Sequence, residues 1–395
     1  MRKKLLSFGL FFIMLAVLTG CSTSGSYYRN GKKYFVSGNY AKAAEYFSQA
    51  IDKNSNHSYY YIDYGMSLIA LGQYEEAIIQ FDLGYIEKDI KIIKENNKRA
   101  LRGKGITYYN MKQYQKAIEQ FDLALQIDVL TELTMDILYY KGSALMMTGS
   151  YEEATKVYTE LLSYNEKNTD ALFDRANLNR YLGEYEKGLA DYDNAISLKP
   201  DCYQYYFGKY YLLVDNGKET EAAAVLTEAA GTSVKTKEDQ YNLAKIQFYL
   251  GNYEVALTEL DESVTNGFCE ANYYIGEIYR EKKEYESAIF NYEQYIKEGE
   301  NLTPAVYNQL GACLMKLKNY KGAIDYLEKG IEYQQSDMLR ILKKNEIIAY
   351  ESLSMFDTAL EKLQEYRESY PEDTTALREE EFLKTRLLEI KSVTP

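Results

Sequence analysis

A small residue followed four positions later by a large aromatic or a leucine recurs ten times along this chain of 395 residues. The pairs are Ala43/Phe47, Ala77/Phe81, Ala117/Phe121, Ala154/Tyr158, Gly188/Tyr192, Ala222/Leu226, Ala256/Leu260, Ala288/Tyr292, Ala323/Leu327 and Ala359/Leu363. A tyrosine stands three positions before eight of the small residues, with Glu219 and Phe356 in the other two repeats. Successive small residues are 34, 40, 37, 34, 34, 34, 32, 35 and 36 positions apart. The four-residue spacing puts each pair on one helical face. Self-similarity at such a period means a stacked array of like units, not one globular core.

Each unit reads as two short amphipathic helices. Two helices of a hairpin cross closely only where both carry little side chain. Opposite the recurring small residue, the first helices supply Gly31, Gly65, Gly105, Gly142, Ala176, Ala244, Gly276 and Gly311. Tyr210 and Ile347 hold that place in repeats six and ten, which predicts looser or shifted hairpins there. The large residue fills the space beside each small pair. Glycine recurs at the hairpin turn (Gly38, Gly72, Gly149, Gly183, Gly217, Gly251), and all four prolines fall at element ends. Helices this short are marginal alone, so stacking of their apolar faces makes the array the stable unit.

The pairs and their period resemble the tetratricopeptide repeat over about Ser24 to Asp373. The resemblance implies an all-α, right-handed superhelical solenoid of about ten helix-turn-helix units. The frequent tryptophan of that family is absent, with residues such as Tyr61, Leu138, Leu172 and Tyr206 in its place. The organisation expected is a signal peptide over 1–20, a tether over 21–26, the repeat solenoid over 27–373, and a capping helix and tail over 374–395. Extra residues near Asp89 to Asn97 predict a longer connection or an extended helix. Beyond Pro371, Leu377, Leu383, Leu387 and Leu388 spaced among charges predict a helix that covers the last hairpin.

Arg2, Lys3 and Lys4 precede an apolar run from Leu5 to Leu18, which closes as Leu18-Thr19-Gly20-Cys21. A charged start and a short apolar stretch form a secretory signal, too short for a comfortable membrane span. The closing tetrad resembles the bacterial lipobox, whose cysteine becomes the lipidated first residue. Diacylation at Cys21 would be a durable anchor, because one acyl chain alone holds only marginally. The address implied is the bacterial cell envelope, outside the cytoplasm.

Composition narrows the partners. Formal charge is −13, and removal of Arg2, Lys3 and Lys4 takes it to −16. An acidic surface opposes nucleic acid and anionic lipid, so an unknown protein or peptide, neutral or basic at the contact, is the expected partner. Cys202, Cys269 and Cys313 match no metal spacing and read as small hydrophobes. His57 is the one histidine, with no nucleophile motif beside it. Gly103-Lys104-Gly105 lacks the third glycine of a dinucleotide loop. Asp191 and Asp193 read as solvated surface. No catalytic residue, metal or cofactor is expected.

Members of the resembled family bind partner segments along the concave face lined by first helices. One residue per unit, four after the helix start, points there in that arrangement. In repeats four to eight these are Tyr139, Phe173, Phe207, Tyr241 and Tyr273, with Asn177, Arg180, Tyr211, Lys245 and Arg280 nearby. Tyrosine offers a large contact area at low entropic cost. Two roles stay open for this ladder: a peptide groove, or packing between repeats. A membrane-anchored interaction scaffold in envelope assembly or secretion is the first functional reading; capture of a glycan or small ligand by stacked aromatics is the alternative. The ordered polar set of a carboxylate clamp is broken at Gly208 and Tyr211. The small–large pairs read as scaffold, separate from the binding residues.

Overall fold

A computed structural model describes residues 23–299, 302–333 and 338–393. Residues 1–22, including the predicted signal and Cys21, lie outside the described residues. Twenty-one helices and no strand occur among the described residues. They fall into two compact units, divided between Gly217 and Lys218 in the sixth hairpin.

In the first unit, α1 (residues 23–36) pairs with α2 (Tyr40–Lys53) and α3 (Ser58–Ala70) with α4 (Tyr74–Gly84). Then come α5 (Lys91–Asn110) with α6 (Tyr114–Leu125), α7 (Thr131–Met147) with α8 (Tyr151–Tyr164), α9 (Thr169–Tyr181) with α10 (Tyr185–Leu198), and α11 (Tyr203–Asp215). The second unit starts at α12 (Glu219–Ala230). It continues through the hairpins α13 (Lys237–Tyr249) and α14 (Tyr253–Thr265), α15 (Ala271–Glu281) and α16 (Tyr285–Glu298), and α17 (Pro304–Lys316) and α18 (Tyr320–Ile331). It ends with α19 (Leu339–Ser352), α20 (Phe356–Ser369) and α21 (Thr374–Val393).

The recurring pairs close these hairpins. Nine of the ten large residues and all nine of the alanines are 0% exposed, and the tenth large residue, Leu363, is only 3% exposed. A Cβ on Gly276 would stand 2.6 Å from the ring of Tyr292, which is why no side chain is tolerated there. Every hairpin turn carries one residue in the left-handed region. Glycine provides it six times, with φ of 68–77°, while Lys112, Lys283, Lys318 and Ser354 adopt φ of 58–63° in the remaining four repeats.

The extra residues between repeats two and three become a loop over 85–90 and a 20-residue α5. The added turn is held by three buried polar side chains. Asn96 donates to Ser58 Oγ at 2.8 Å, and Asn97 bonds both backbone groups of Ile86. Lys98, 1% exposed, donates to Ile127 O, Val129 O and Thr134 Oγ1 at 2.9, 2.8 and 2.6 Å.

Two expectations need correction. Asp191 is 4% exposed, because the Arg175 guanidinium grips it through two bonds of 2.8 and 2.7 Å and so makes its burial tolerable. Asp193 is exposed beside Lys209, as read. Ile347 is buried in one cluster with Ala359 and Leu363, and the α19–α20 hairpin that it holds apart is packed less closely than α15–α16 or α17–α18, as expected. On α21 the leucine stripe is only partly the seat: Leu377 and Leu388 are exposed, while Leu383 joins Ala376 and Glu380 against the last hairpin. Arg367 pairs with Glu380 there, and Asp373 caps the helix start through Thr375 N at 3.1 Å. Of the cysteines, Cys313 is buried and Cys202 and Cys269 are half-buried.

Candidate functional site

The large residue of each pair does more than fill space. Phe47, Phe81 and Phe121 are followed, on the first helix beside the contact glycine, by Lys32, Met66 and Ile106. Tyr158, Tyr192 and Tyr292 are matched there by Ser143, Asn177 and Glu277. The tyrosine hydroxyls reach these polar residues. Tyr158 OH lies 3.1 Å from Ser143 Oγ, Tyr192 OH donates to Asn177 Oδ1 at 2.7 Å, and Tyr292 OH donates to Glu277 Oε1 at 2.6 Å. Burial pushes all three phenols far above the ordinary tyrosine value. The scaffold and the first-helix face are therefore joined, not separate. A signal was present in the sequence: tyrosine stands in place of phenylalanine where Ser143, Asn177 and Glu277 follow the small residue, although Lys32 is accompanied by Phe47.

In the first unit, Tyr139 is half-buried with its ring 6.0 Å from that of Tyr158. Burial, then the charges of Asp174 and Asp170, push its phenol up. Phe173 is half-buried between Tyr192 and Tyr205, at 6.0 and 5.3 Å between ring centres. Phe207 is only 7% exposed and belongs to the packed interior, so its ring face is withheld from a partner. Arg180 lies over the Tyr211 ring at 5.3 Å and donates through Nε to Asp215 at 2.6 Å; both Arg180 and Tyr211 keep a half-exposed surface. Asn177 is half-exposed and spends its oxygen on Tyr192.

In the second unit, Tyr241 stacks on Phe268 at 5.0 Å and 16°. The Lys245 ammonium stands 5.4 Å from the Tyr241 ring centre and 5.8 Å from that of Tyr274. Burial draws its pKa down, and Glu270 opposes that shift. Tyr273 packs on Tyr292 and Tyr295 at 6.0 and 5.8 Å. Arg280 grips Glu277 at 2.9 Å and Glu281 at 2.7 Å, which ties it through Glu277 to the Tyr292 hydroxyl.

The ladder thus serves packing and surface at once. Its rings contact the rings beside them, and Tyr139, Phe173, Tyr241 and Tyr273 retain partial exposure. Sequence reasoning missed Asp174, half-buried among tyrosines, and Tyr274, which completes the surroundings of Lys245. Both fall two positions before the small first-helix residue, a place where polar and apolar types alternate freely, so no residue pattern marked them.

The sequence matches the tetratricopeptide repeat family over residues 28–91, 102–171, 173–234 and 241–303, and again over 304–337. It is similar to the TPR repeat-containing protein YpiA of Bacillus subtilis, at 24% identity over 305 residues, 76% of this chain and 64% of that protein. It is also similar to the DnaJ homolog subfamily C member 7 homolog of Schizosaccharomyces pombe, at 26% identity over 181 residues, 44% of this chain and 38% of that protein. The chain therefore spans less than two thirds of the length of these relatives. A crystal structure of a tetratricopeptide repeat protein from Parabacteroides merdae shares the fold, with a TM-score of 0.52 at 19% identity, over 64% of this chain and 98% of that one.

Proposed function

The chain belongs to the tetratricopeptide repeat family, and from that premise we propose that it is an interaction scaffold holding an extended partner segment along its first-helix face. One observation carries this reading. The half-exposed rings and cations are strung over successive first helices within each unit: Tyr139 on α7, Phe173 and Arg180 on α9 and Tyr211 on α11 in the first, and Tyr241 and Lys245 on α13 and Tyr273 and Arg280 on α15 in the second. An extended peptide meets such groups one repeat at a time. A glycan or small ligand needs them converged on one enclosed cavity, and this spread argues against that alternative. Arg180 and Arg280 are each committed to a neighbouring carboxylate, which holds their donors in place instead of setting up acid–base chemistry. Catalysis is no part of the proposal.

The scaffold is proposed to work outside the cytoplasm of a bacterium, tethered through a lipid on Cys21. Support comes from Arg2, Lys3 and Lys4, the apolar run and the Leu18–Cys21 tetrad. The mature charge of −16 favours a neutral or basic partner over nucleic acid. The test is affinity capture from native membranes with wild type and with the combined variant R180A/Y211A/K245A. A partner lost from the variant supports the groove; an unchanged set of partners overturns it. Separately, C21A should abolish labelling by palmitate and release the chain from membranes, and retention there would refute the lipid tether.

A further inference from the structure

The terminal helix α21 leaves a gap where it covers the last hairpin. A cavity of about 210 Å³ lies between α19, α20 and α21, walled by Ile347, Leu363 and Ala376 and edged by Lys344, Glu351 and Glu379. Glu351 comes from the end of α19 and Glu379 from the second turn of α21, so carboxylates of two facing helices border one small space. Both side chains are half-buried, and Glu351 Oε1 is cut off from solvent with no hydrogen-bond partner. A buried carboxylate oxygen without a donor is costly.

The cations of these helices are spent elsewhere. Lys344 and Arg340 of α19 reach Asp373 at 2.6 and 3.1 Å. Lys362 of α20 faces Glu346 at 2.9 Å, while Arg367 of α20 and Lys384 of α21 hold Glu380. Arg378 is exposed. Tyr366 OH donates to Asp373 at 2.6 Å, and Tyr350 OH donates to Glu328 of α18 at 3.2 Å. Neither Glu351 nor Glu379 has an ion-pair partner among the described residues. One arrangement satisfies the buried oxygen: a proton held between the two carboxyls, one donating to the other. Burial, then the charge of Glu379, pushes the Glu351 carboxyl from 4.5 up to about 7. A carboxyl raised in this way stabilises the docked helix fully below 4.5, and that contribution is lost as pH rises through about 7.

We propose that α21 is a pH-gated cap: Glu351 and Glu379 share one proton while the helix is docked, and when that proton passes to water two like charges face each other across the cavity and α21 loosens. The face it covers carries Ile347 and Leu363, so the gate controls exposure of the apolar end of the second unit.

The test is hydrogen exchange of the full chain in detergent, with protection corrected for the intrinsic dependence of exchange on pH. In wild type, protection over residues 377–388 falls about tenfold or more between about pH 5 and about pH 8, one proton giving at most tenfold per unit, while that of α17–α18 holds. E351Q and E379Q each supply an amide donor at every pH, so protection stays at the acid level in both. Equal protection of wild-type α21 at both pH values, an equal fall over α17–α18, or a fall that persists in either variant would each overturn the proposal. Burial also raises the Glu346 carboxyl, and Glu346 is intact in both variants, so a fall caused by it would persist. The chain's one histidine, His57, belongs to the first unit, so no imidazole of the second unit can mimic the effect. If circular dichroism shows one variant unfolded, the other decides.

Discussion

One substitution, glycine to alanine, should have opposite signs at two places in this chain. Alanine is favoured over glycine in a helix interior by about 1 kcal/mol. On Gly188, in α10, a Cβ would meet Ala176 O, Leu212 Cδ2 and Asn179 Cβ at 3.3, 3.4 and 3.5 Å, near ordinary contact. On Gly276, in α15, it would lie 2.6 and 2.7 Å from ring carbons of Tyr292. That ring is fully buried and its hydroxyl is committed to Glu277 at 2.6 Å, so it is pinned at both ends. Overpacking costs ~1–3 kcal/mol, and a displaced ring also weakens a bond to a charged group worth about 1.5–3 kcal/mol. After the helical gain, G276A should be destabilised by about 2–4 kcal/mol, whereas G188A should gain roughly 0.5–1 kcal/mol. Repeat arrays unfold segment by segment, so the assay is hydrogen exchange of α9–α10 and α15–α16 beside urea melts followed by circular dichroism. Shifts of the same sign in both variants would refute the claim that the contact ring, and not helix propensity, decides.

Alkali should unfold the protein steeply. Tyr158, Tyr192 and Tyr292 are fully buried and hold their protons well above the ordinary value of 10.0, at which the unfolded chain releases them. Their contribution is complete below that value and is lost as pH rises past it, by about 4 kcal/mol per pH unit for three groups; a melting temperature flat across that range would contradict this. K98M removes three hydrogen bonds from an ammonium whose pKa burial already lowers, so about 2–4 kcal/mol should be lost, read as faster exchange over residues 127–134. Exchange as slow as wild type would show that water replaces the lysine freely. K318G, at φ 60°, should raise the melting temperature through a gain of about 0.5–1 kcal/mol, and G183A, at φ 74°, should lower it by a similar amount; no difference between the two would remove left-handed strain from the account of the turns.

The repeat, the hairpins and their turns were legible because they rest on interactions between residues close in the chain. An alanine and a ring four positions apart share a helical face whatever surrounds them, and a left-handed turn needs glycine for reasons local to its own backbone. The tyrosine hydroxyls were not read from the sequence, and only the geometry shows that Tyr158, Tyr192 and Tyr292 reach the first-helix face. Tertiary structure decided what periodicity leaves open. It buried Phe207 while Phe173 kept a partly open edge, enclosed Asp191 against Arg175 but left Asp193 in solvent, and drew Lys98 into a knot of loop carbonyls. It also set Lys245 against two rings and left Asp174 among tyrosines without a cation among the described residues. Helical periodicity states which face a residue occupies. Burial and charge pairing depend on the neighbour laid over that face, and that neighbour comes from the next hairpin, at a distance set by loops whose length varies from repeat to repeat.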